Sequence, residues 1–360
     1  MMPVAHSGLA RVLVSPLSWV YGAGVRLRNT AFNLGILPKK EAGIPVISVG
    51  NLTAGGTGKT PLVEYLVGLL LKRGRRVGVV SRGYGRAGRG VTTVSSGAGP
   101  ELDARAGGDE PVQIAGMYPE TIVVVGERKS AAARHARDRH GADVVVLDDG
   151  FQHRHLQRTA DIVVVDARRD ITTEGLLPVG LRREPLSALR RADLVVLSKV
   201  VSLSTSVPWL PALRQFYDGP LVWTTMRHAG IVRGADGSTV GPEDVAGTRV
   251  YVFSGIADHA GFVSDVLACG MVVAGDRRFP DHYPYTARDA DLLEREAKEC
   301  DAALLVTTEK DLVRLRADSA LKARLVDPGS LVTVRIAVEV LKGEEHLTRL
   351  LDRVLESAPC

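Results

Sequence analysis

From residue 44 onward the chain sets short apolar runs between amphipathic stretches. IPVISV (44–49), RVGVVS (76–81), TIVVVG (121–126), DVVVLD (143–148), DIVVVD (161–166) and DLVVLS (193–198) are continuous Val/Ile/Leu runs, not alternating ones. Strands covered by helices on both faces read this way. Helical patterns lie between them, from Thr60 to about Lys72 and from Arg128 to His140. Strand–helix alternation predicts a doubly wound, mostly parallel sheet in an α/β fold. A turn cluster at Tyr217–Pro220 interrupts the pattern. A second set of elements follows: RVYVFS (249–254), a helix near His259–Ala268, MVVAG (271–275), a helix near Thr286–Glu299, ALLVTT (303–308), LVTVRI (331–336) and a charged helix near Gly343–Glu356. The expected organisation is an N-terminal helical segment over 1–40, a larger α/β domain over 41–220 and a smaller α/β domain over 221–360.

Before the first strand, Val20, Leu27, Ala31 and Leu34 fall near one face of a helix expected over Ser18–Leu37, with Trp19, Tyr21, Arg26 and Arg28 among or beside them. Such a helix suits a membrane interface, with arginines at the headgroups. It equally suits a terminal helix packed on a core. The uncharged run Val12–Val25 contains Pro16 and is shorter than the roughly 20 apolar residues a spanning helix needs. It also lacks the order of charges and the cleavage site of a signal peptide.

Composition adds little beyond a soluble class: 45% hydrophobic and 24% charged residues. The net charge of +5 is too small to argue for nucleic acid. Its distribution matters more, because residues 1–40 hold Arg11, Arg26, Arg28, Lys39 and Lys40 and no acid. Cys269, Cys300 and Cys360 are widely spaced, with no C-x-x-C, so neither a disulfide frame nor a zinc site is expected.

The chemistry begins at SVGNLTAGGTGKT (48–60). A strand precedes it and a helix follows, the context a phosphate-binding loop demands. Gly55, Gly56 and Gly58 let backbone N–H groups face phosphate oxygens, and the helix N-terminus adds positive charge. Lys59 would reach the β/γ-phosphates and the Thr60 hydroxyl would bind Mg²⁺. Thr53 stands where G-x-x-x-x-G-K-[ST] wants glycine, so the loop is expected to open differently there. VVVLDDG (144–150) supplies Asp148 and Asp149 as Mg²⁺-holding carboxylates at a strand end. SRGYGRAGRG (81–90) contains G-x-G-x-x-G, but VTTVSSG (91–97) is no helix. The stretch therefore reads as a mobile loop with Arg82, Arg86 and Arg89, suited to phosphate groups. SKVV (198–201) lacks the aspartate that guanine readers use, which favours ATP. Ala54 occupies the place of the early lysine of partitioning-type ATPases.

Taken together, GNLTAGGTGKTP, SRGYGR, GDEP (108–111), DDGFQHRHL (148–156), LLPVGLRREP (176–185), FPDHYPY (279–285) and TTEKD (307–311) resemble the tetraacyldisaccharide 4'-kinase family, from the N-terminus to about residue 315. That family's loop takes the same form at Thr53. The resemblance implies a P-loop NTPase-type fold and transfer of the ATP γ-phosphate to the 4'-hydroxyl of a tetraacyldisaccharide 1-phosphate in lipid A biosynthesis. It implies ATP and Mg²⁺ as cofactors, and a nucleotide loop of Thr53, Ala54, Gly55, Gly56, Thr57, Gly58, Lys59 and Thr60. It also implies Asp109 as catalytic base with His282 as its partner, Lys59 as a catalytic cation, and Thr60, Asp148, Asp149 and Glu184 near the metal. Asn51, Arg82, Arg86 and Glu110 are the expected acceptor contacts, the arginine loop because its charges suit the lipid's phosphate. Lys310 and Asp311 either reach nucleotide or cap a helix. His282 and Lys59 come from different expected domains, so a cleft between them is the expected site. The N-terminal helix is then expected to contact anionic lipids on the cytoplasmic face of the inner membrane, without an obligate protein partner or nucleic acid. A P-loop switch protein and a soluble small-molecule kinase are the competing classes.

Overall fold

The structure, a computed structural model, describes residues 8–204 and 206–357. Cys360 and residues 1–7 of the N-terminal segment lie outside the described residues. Cys269 and Cys300 are free thiols. The chain forms two compact units. One holds the chain through Arg82, Arg128–Met226 and the chain from Val338 onward; the other holds Gly83–Glu127 and Arg227–Ala337.

In the first unit the strand order is Leu221–Arg233 (its first part), Leu194–Ser198, Ala160–Asp166, Val46–Asn51, Val144–Asp148 and Val77–Ser81, all parallel. The last five are buried along their whole length, as continuous apolar runs require. Register sets Val49 opposite Asp148 on one side and Ile162 on the other. The glycine loop and the two aspartates therefore leave neighbouring strands at the same, C-terminal edge, where open α/β sheets bind ligands. The helix Lys59–Lys72 buries Leu62, Val63, Leu66, Val67 and Leu70 behind the loop.

The N-terminal helix runs Gly8–Asn33, starting before the expected Ser18 and stopping before Leu37. Gly35 stops it: at φ 71° it reverses the chain, and the N–H groups of Gly35 and Ile36 return to the carbonyls of Phe32 and Ala31. One stripe docks on the unit. Ser18 and Phe32 are buried. Ser18 Oγ donates to the Leu176 carbonyl at 2.8 Å, and the Tyr21 hydroxyl donates to the Arg183 carbonyl at 2.9 Å. Asn29 Nδ2 donates to Glu184 Oε2 at 2.7 Å. The opposite stripe is uncovered: Trp19 is 77% and Leu27 74% exposed, with Leu17 and Val20 beside them. The helix is thus both packed on a core and apolar on its outer face.

The second unit holds a parallel set in the order Val272–Arg278, Arg249–Ser254, Leu304–Thr307 and Leu331–Lys342. Thr92–Ser96 pairs antiparallel with Ile122–Val125, beside the mostly parallel pattern expected. Two helices matter for chemistry, Asp109–Met117 and Glu309–Arg316. Asp109 and Glu110 occupy the first turn of theirs, where carboxylates complement the helix dipole.

Glu184 is fully buried and bonded by Arg191 Nη2 at 3.0 Å as well as by Asn29, with Arg28 at 3.8 Å. Removing one member of a buried pair strands the other charge, so Glu184→Ala is expected to cost about 3 kcal/mol in thermal or denaturant unfolding. An unchanged melting temperature would show that this node carries no load.

Candidate active site

The glycine loop is built from both of its flanks. Thr53 forms an antiparallel bridge with Arg182, and Ala54 N donates to the Leu181 carbonyl at 2.8 Å. Arg183 N donates to the Leu52 carbonyl at 2.7 Å. The mouth of the loop is therefore extended backbone tied to residues 181–183, and nothing there demands glycine. Gly55 and Gly58 do need their freedom, at φ 112° and 85°. A Cβ on Gly58 would also meet Met226 Cε at 2.8 Å. Two residues of the SKVV stretch hold the loop from the next strand end: Ser198 Oγ donates to the Thr57 carbonyl and Lys199 Nζ to the Gly56 carbonyl, both at 2.7 Å. Asn51 is fully buried and donates from Nδ2 to Thr57 Oγ1 at 3.0 Å. Asn51, expected as an acceptor contact, thus braces the loop through Nδ2, while its Oδ1 has no hydrogen-bond partner.

Beside the loop, Asp149 stands at φ 48°, with both carboxylate oxygens 2.9 Å from Arg183 Nη1 and Oδ1 3.7 Å from Lys59 Nζ. Burial alone would push this carboxyl up, but Lys59, Arg183 and Lys129 outweigh it and hold it below the usual carboxylate range. Ser81 Oγ donates to Asp148 Oδ2 at 3.2 Å. Underneath, Lys129 is buried and donates to the carbonyls of Asp148 and Asp149. Burial pushes its ammonium down to about 8 although both aspartates pull the other way. His153 is likewise pushed down to about 4, first by burial and then by Lys129, so it serves as a neutral member of this polar network. Thr60 lies in the first turn of the helix that leaves the loop. Glu184, expected near the metal, accepts from Asn29 and Arg191 through Oε2, while its buried Oε1 has no hydrogen-bond partner and faces Arg28 at 3.8 Å.

The second unit assembles its own cluster. His282 Nδ1 lies 3.0 Å from Asp109 Oδ2, and Arg314 Nε donates to the same oxygen at 2.6 Å. Lys310 Nζ reaches Glu110 Oε1 at 2.6 Å and His282 Nε2 at 3.1 Å. Tyr84 leans over the imidazole with ring centres 5.4 Å apart. Burial works to raise the Asp109 carboxyl, but the His282 hydrogen bond and the charges of Arg314 and Lys310 bring it below its ordinary value. Arg86 is turned into its own loop, bonded to Thr92 Oγ1 and Glu127 Oε1, each at 3.0 Å, with only 3% of its side chain exposed. Its guanidinium is taken up by that pairing, whereas Arg82 and Arg89 are exposed.

Comparison with known proteins bears on what these clusters do. The family model for tetraacyldisaccharide-1-P 4'-kinase matches residues 10–356. The chain belongs to the tetraacyldisaccharide 4'-kinase family. It is 43% identical to the tetraacyldisaccharide 4'-kinase of Anaeromyxobacter sp. (strain Fw109-5), over 96% of this chain and 92% of that one. It is 37% identical to that of Chlorobium luteolum, over 97% and 99%. It also resembles the crystal structure of LpxK from Aquifex aeolicus in complex with ATP, with a TM-score of 0.79, 30% identity, and coverage of 96% and 99%.

Within this kinase three functional supports escaped sequence reading. Lys129 opens the helix Lys129–His140, and a cation at a helix N-terminus opposes the dipole; that misfit was the available signal. Arg314 lies four residues after Lys310 of TTEKD, on the same helical face. Lys199 gave none beyond its place after a strand. In the kinase, the depressed Lys129 makes the unfolded chain the better proton binder between about pH 8 and its unperturbed value near 10.4, so this group raises stability as pH climbs through that window. Lys129→Met is expected to abolish that rise when melting is compared at about pH 7.5 and about pH 9.5. Parallel pH slopes in the two proteins would refute the assignment.

Proposed function

We propose that this chain transfers the γ-phosphate of ATP to the 4'-hydroxyl of a tetraacyldisaccharide 1-phosphate, with Asp109 as the base. The observation that carries the assignment of roles is the Asp109–His282 contact at 3.0 Å, within a cluster whose cations keep the carboxylate ionised. A sugar hydroxyl is a weak nucleophile, and a positioned carboxylate takes its proton as the new bond forms. The acceptor O–H bond breaks toward Asp109, the oxygen bonds to the γ-phosphorus, and ADP leaves with the bridging oxygen. The glycine loop binds the triphosphate through its N–H groups, and Lys59 compensates charge on the β/γ-phosphates.

The oxygen donors fit Mg²⁺, which takes one or two carboxylates together with substrate phosphates instead of an all-protein cage. Asp148, steadied by Ser81, with Asp149 and the Thr60 hydroxyl, would hold the ion. Bound there, it would neutralise charge on the phosphate oxygens.

Among the described residues no helix is long and apolar enough to cross a membrane. The uncovered face of Trp19, Val20 and Leu27, with Arg26 exposed beside it, suits the interface of an anionic bilayer, read here as the cytoplasmic face of the inner membrane. A cavity of about 350 Å³ opens along this helix, lined by Ser18, Trp19, Gly22, Arg26, Leu176 and Arg182. Its two guanidinium groups suit a phosphorylated, acylated acceptor.

The test is transfer of labelled γ-phosphate from ATP to tetraacyldisaccharide 1-phosphate in mixed micelles. Wild type should label the lipid, with Lys59→Ala and Asp109→Ala each reducing the rate by about 10²-fold or more. Full activity in Asp109→Ala would remove the base. For the membrane face, Trp19→Asp with Leu27→Asp should weaken binding to anionic vesicles by about tenfold or more and leave ATP affinity unchanged. Unaltered vesicle binding would return the helix to a purely structural role.

A further inference from the structure

The cluster around Asp109 contains two cations that the reaction as written does not use. Lys310 and Arg314 sit four residues apart on the helix Glu309–Arg316, so both point the same way. Arg314 donates to Asp109 Oδ2 from Nε and, from Nη1, to Asp311 Oδ1 at 2.7 Å and the Gly255 carbonyl at 2.9 Å. Asp311 is fully buried and anchored in turn by the Gly255 N–H, the Tyr285 hydroxyl and Thr308 Oγ1. The backbone N–H of His282 donates to that same Gly255 carbonyl at 3.1 Å, while His282 holds φ 59°. One carbonyl thus fixes both groups that grip Asp109 Oδ2.

Lys310 sets the other side of the imidazole. An ammonium has three donors and no acceptor, so the ring nitrogen facing it, Nε2 at 3.1 Å, is the acceptor. The proton is then on Nδ1, which donates to Asp109. Two donors converge on Oδ2, which on the proposed function would leave Oδ1 to take the substrate proton.

We propose that Lys310 and Arg314 are positioning residues for the transfer reaction: Arg314 fixes the orientation of the Asp109 carboxylate, and Lys310 fixes the His282 tautomer that supports it. The inference rests on Asp109 acting as base. Besides Arg314, Lys310 and His282, the carboxylates of Glu110, Asp281 and Asp311 stand in the same cluster and oppose the two cations.

A residue that acts only through His282 has nothing left to do once the imidazole is gone. Lys310→Met is expected to lower kcat by about 10–100-fold with KM for ATP and lipid within about twofold. Added to His282→Ala it should cost less than about threefold more. Full multiplication of the two effects, or a loss confined to KM, would mean that Lys310 touches substrate directly and would overturn the proposal. Arg314→Gln should shift the acidic limb of the kcat–pH profile to higher pH, because removing a cation raises the Asp109 carboxyl and the base protonates earlier as pH falls. An unmoved limb in a folded variant would refute that half. If Arg314→Gln does not fold, the Lys310–His282 cycle alone decides. Failure of the underlying reading looks different: Asp109→Asn would then remain active whatever Lys310 does.

Discussion

The parallel register that places Val49 opposite Asp148 is the constraint on which the nucleotide side of this kinase depends. Parallel strands deliver their next residues to the same edge. Four connections of the first unit therefore meet there: the glycine loop after Asn51, Asp148 and Asp149, Ser81, and the Ser198–Lys199 turn. A one-residue slip would invert every side chain on a strand and withdraw Asn51 from Thr57. Strands buried on both faces resist such slips, because a slip must rebuild two cores at once. The precision of the site is thus inherited from the apolar packing of the strands beneath it.

Backbone strain marks the positions where packing is converted into chemistry. Among the described residues, four non-glycine positions have positive φ, and three of them, Asp149, Lys199 and His282, stand in the two clusters. Such a conformation persists only where its surroundings over-determine it. Asp149 is gripped through both carboxylate oxygens by Arg183 and through its carbonyl by Lys129. Lys199 is pinned by the Gly56 carbonyl and by Asp166 at 3.4 Å. His282 is pinned by Gly255 behind and by Lys310 and Asp109 at its ring. In each case a strained residue is surrounded by donors and acceptors of fixed position, which is what a site needs to hold charge without reorganising.

Sequence carried the parts of this molecule whose cause is local. Continuous Val/Ile/Leu runs marked the buried strands, and glycines before a lysine marked the loop, because periodicity and backbone freedom are written residue by residue. The Thr92–Ser96 and Ile122–Val125 pairing was not legible, since a strand of threonines and serines shows neither a buried run nor a clean alternation. The start of the N-terminal helix was hidden by Pro16, which lies inside it. Arg86, Glu184 and Asn51 look like ligand-binding residues in sequence. Each also has an internal partner that only the fold supplies: Glu127, Arg191 and Thr57. Polar residues beside a motif are ambiguous in this way, because supporting a loop and contacting its ligand call for the same side chains.

The charges around Asp149 show how a site can be stable before its ligand arrives and still receive it. Lys59 lies 3.7 Å from this carboxylate, beyond good hydrogen-bond distance, whereas Arg183 holds both oxygens at 2.9 Å. The lysine is a flexible point charge; the arginine is a planar donor suited to a carboxylate. Were Lys59 to turn to a phosphate, as the proposed function has it, Asp149 would keep its closer partner, and the buried Lys129 would still clamp its carbonyl. The anion is never left unpaired in a partly buried place, which would be the costly state. On the proposed function, separating a close counter-ion from a looser one would let the loop lysine move without melting the strand end that carries the aspartates.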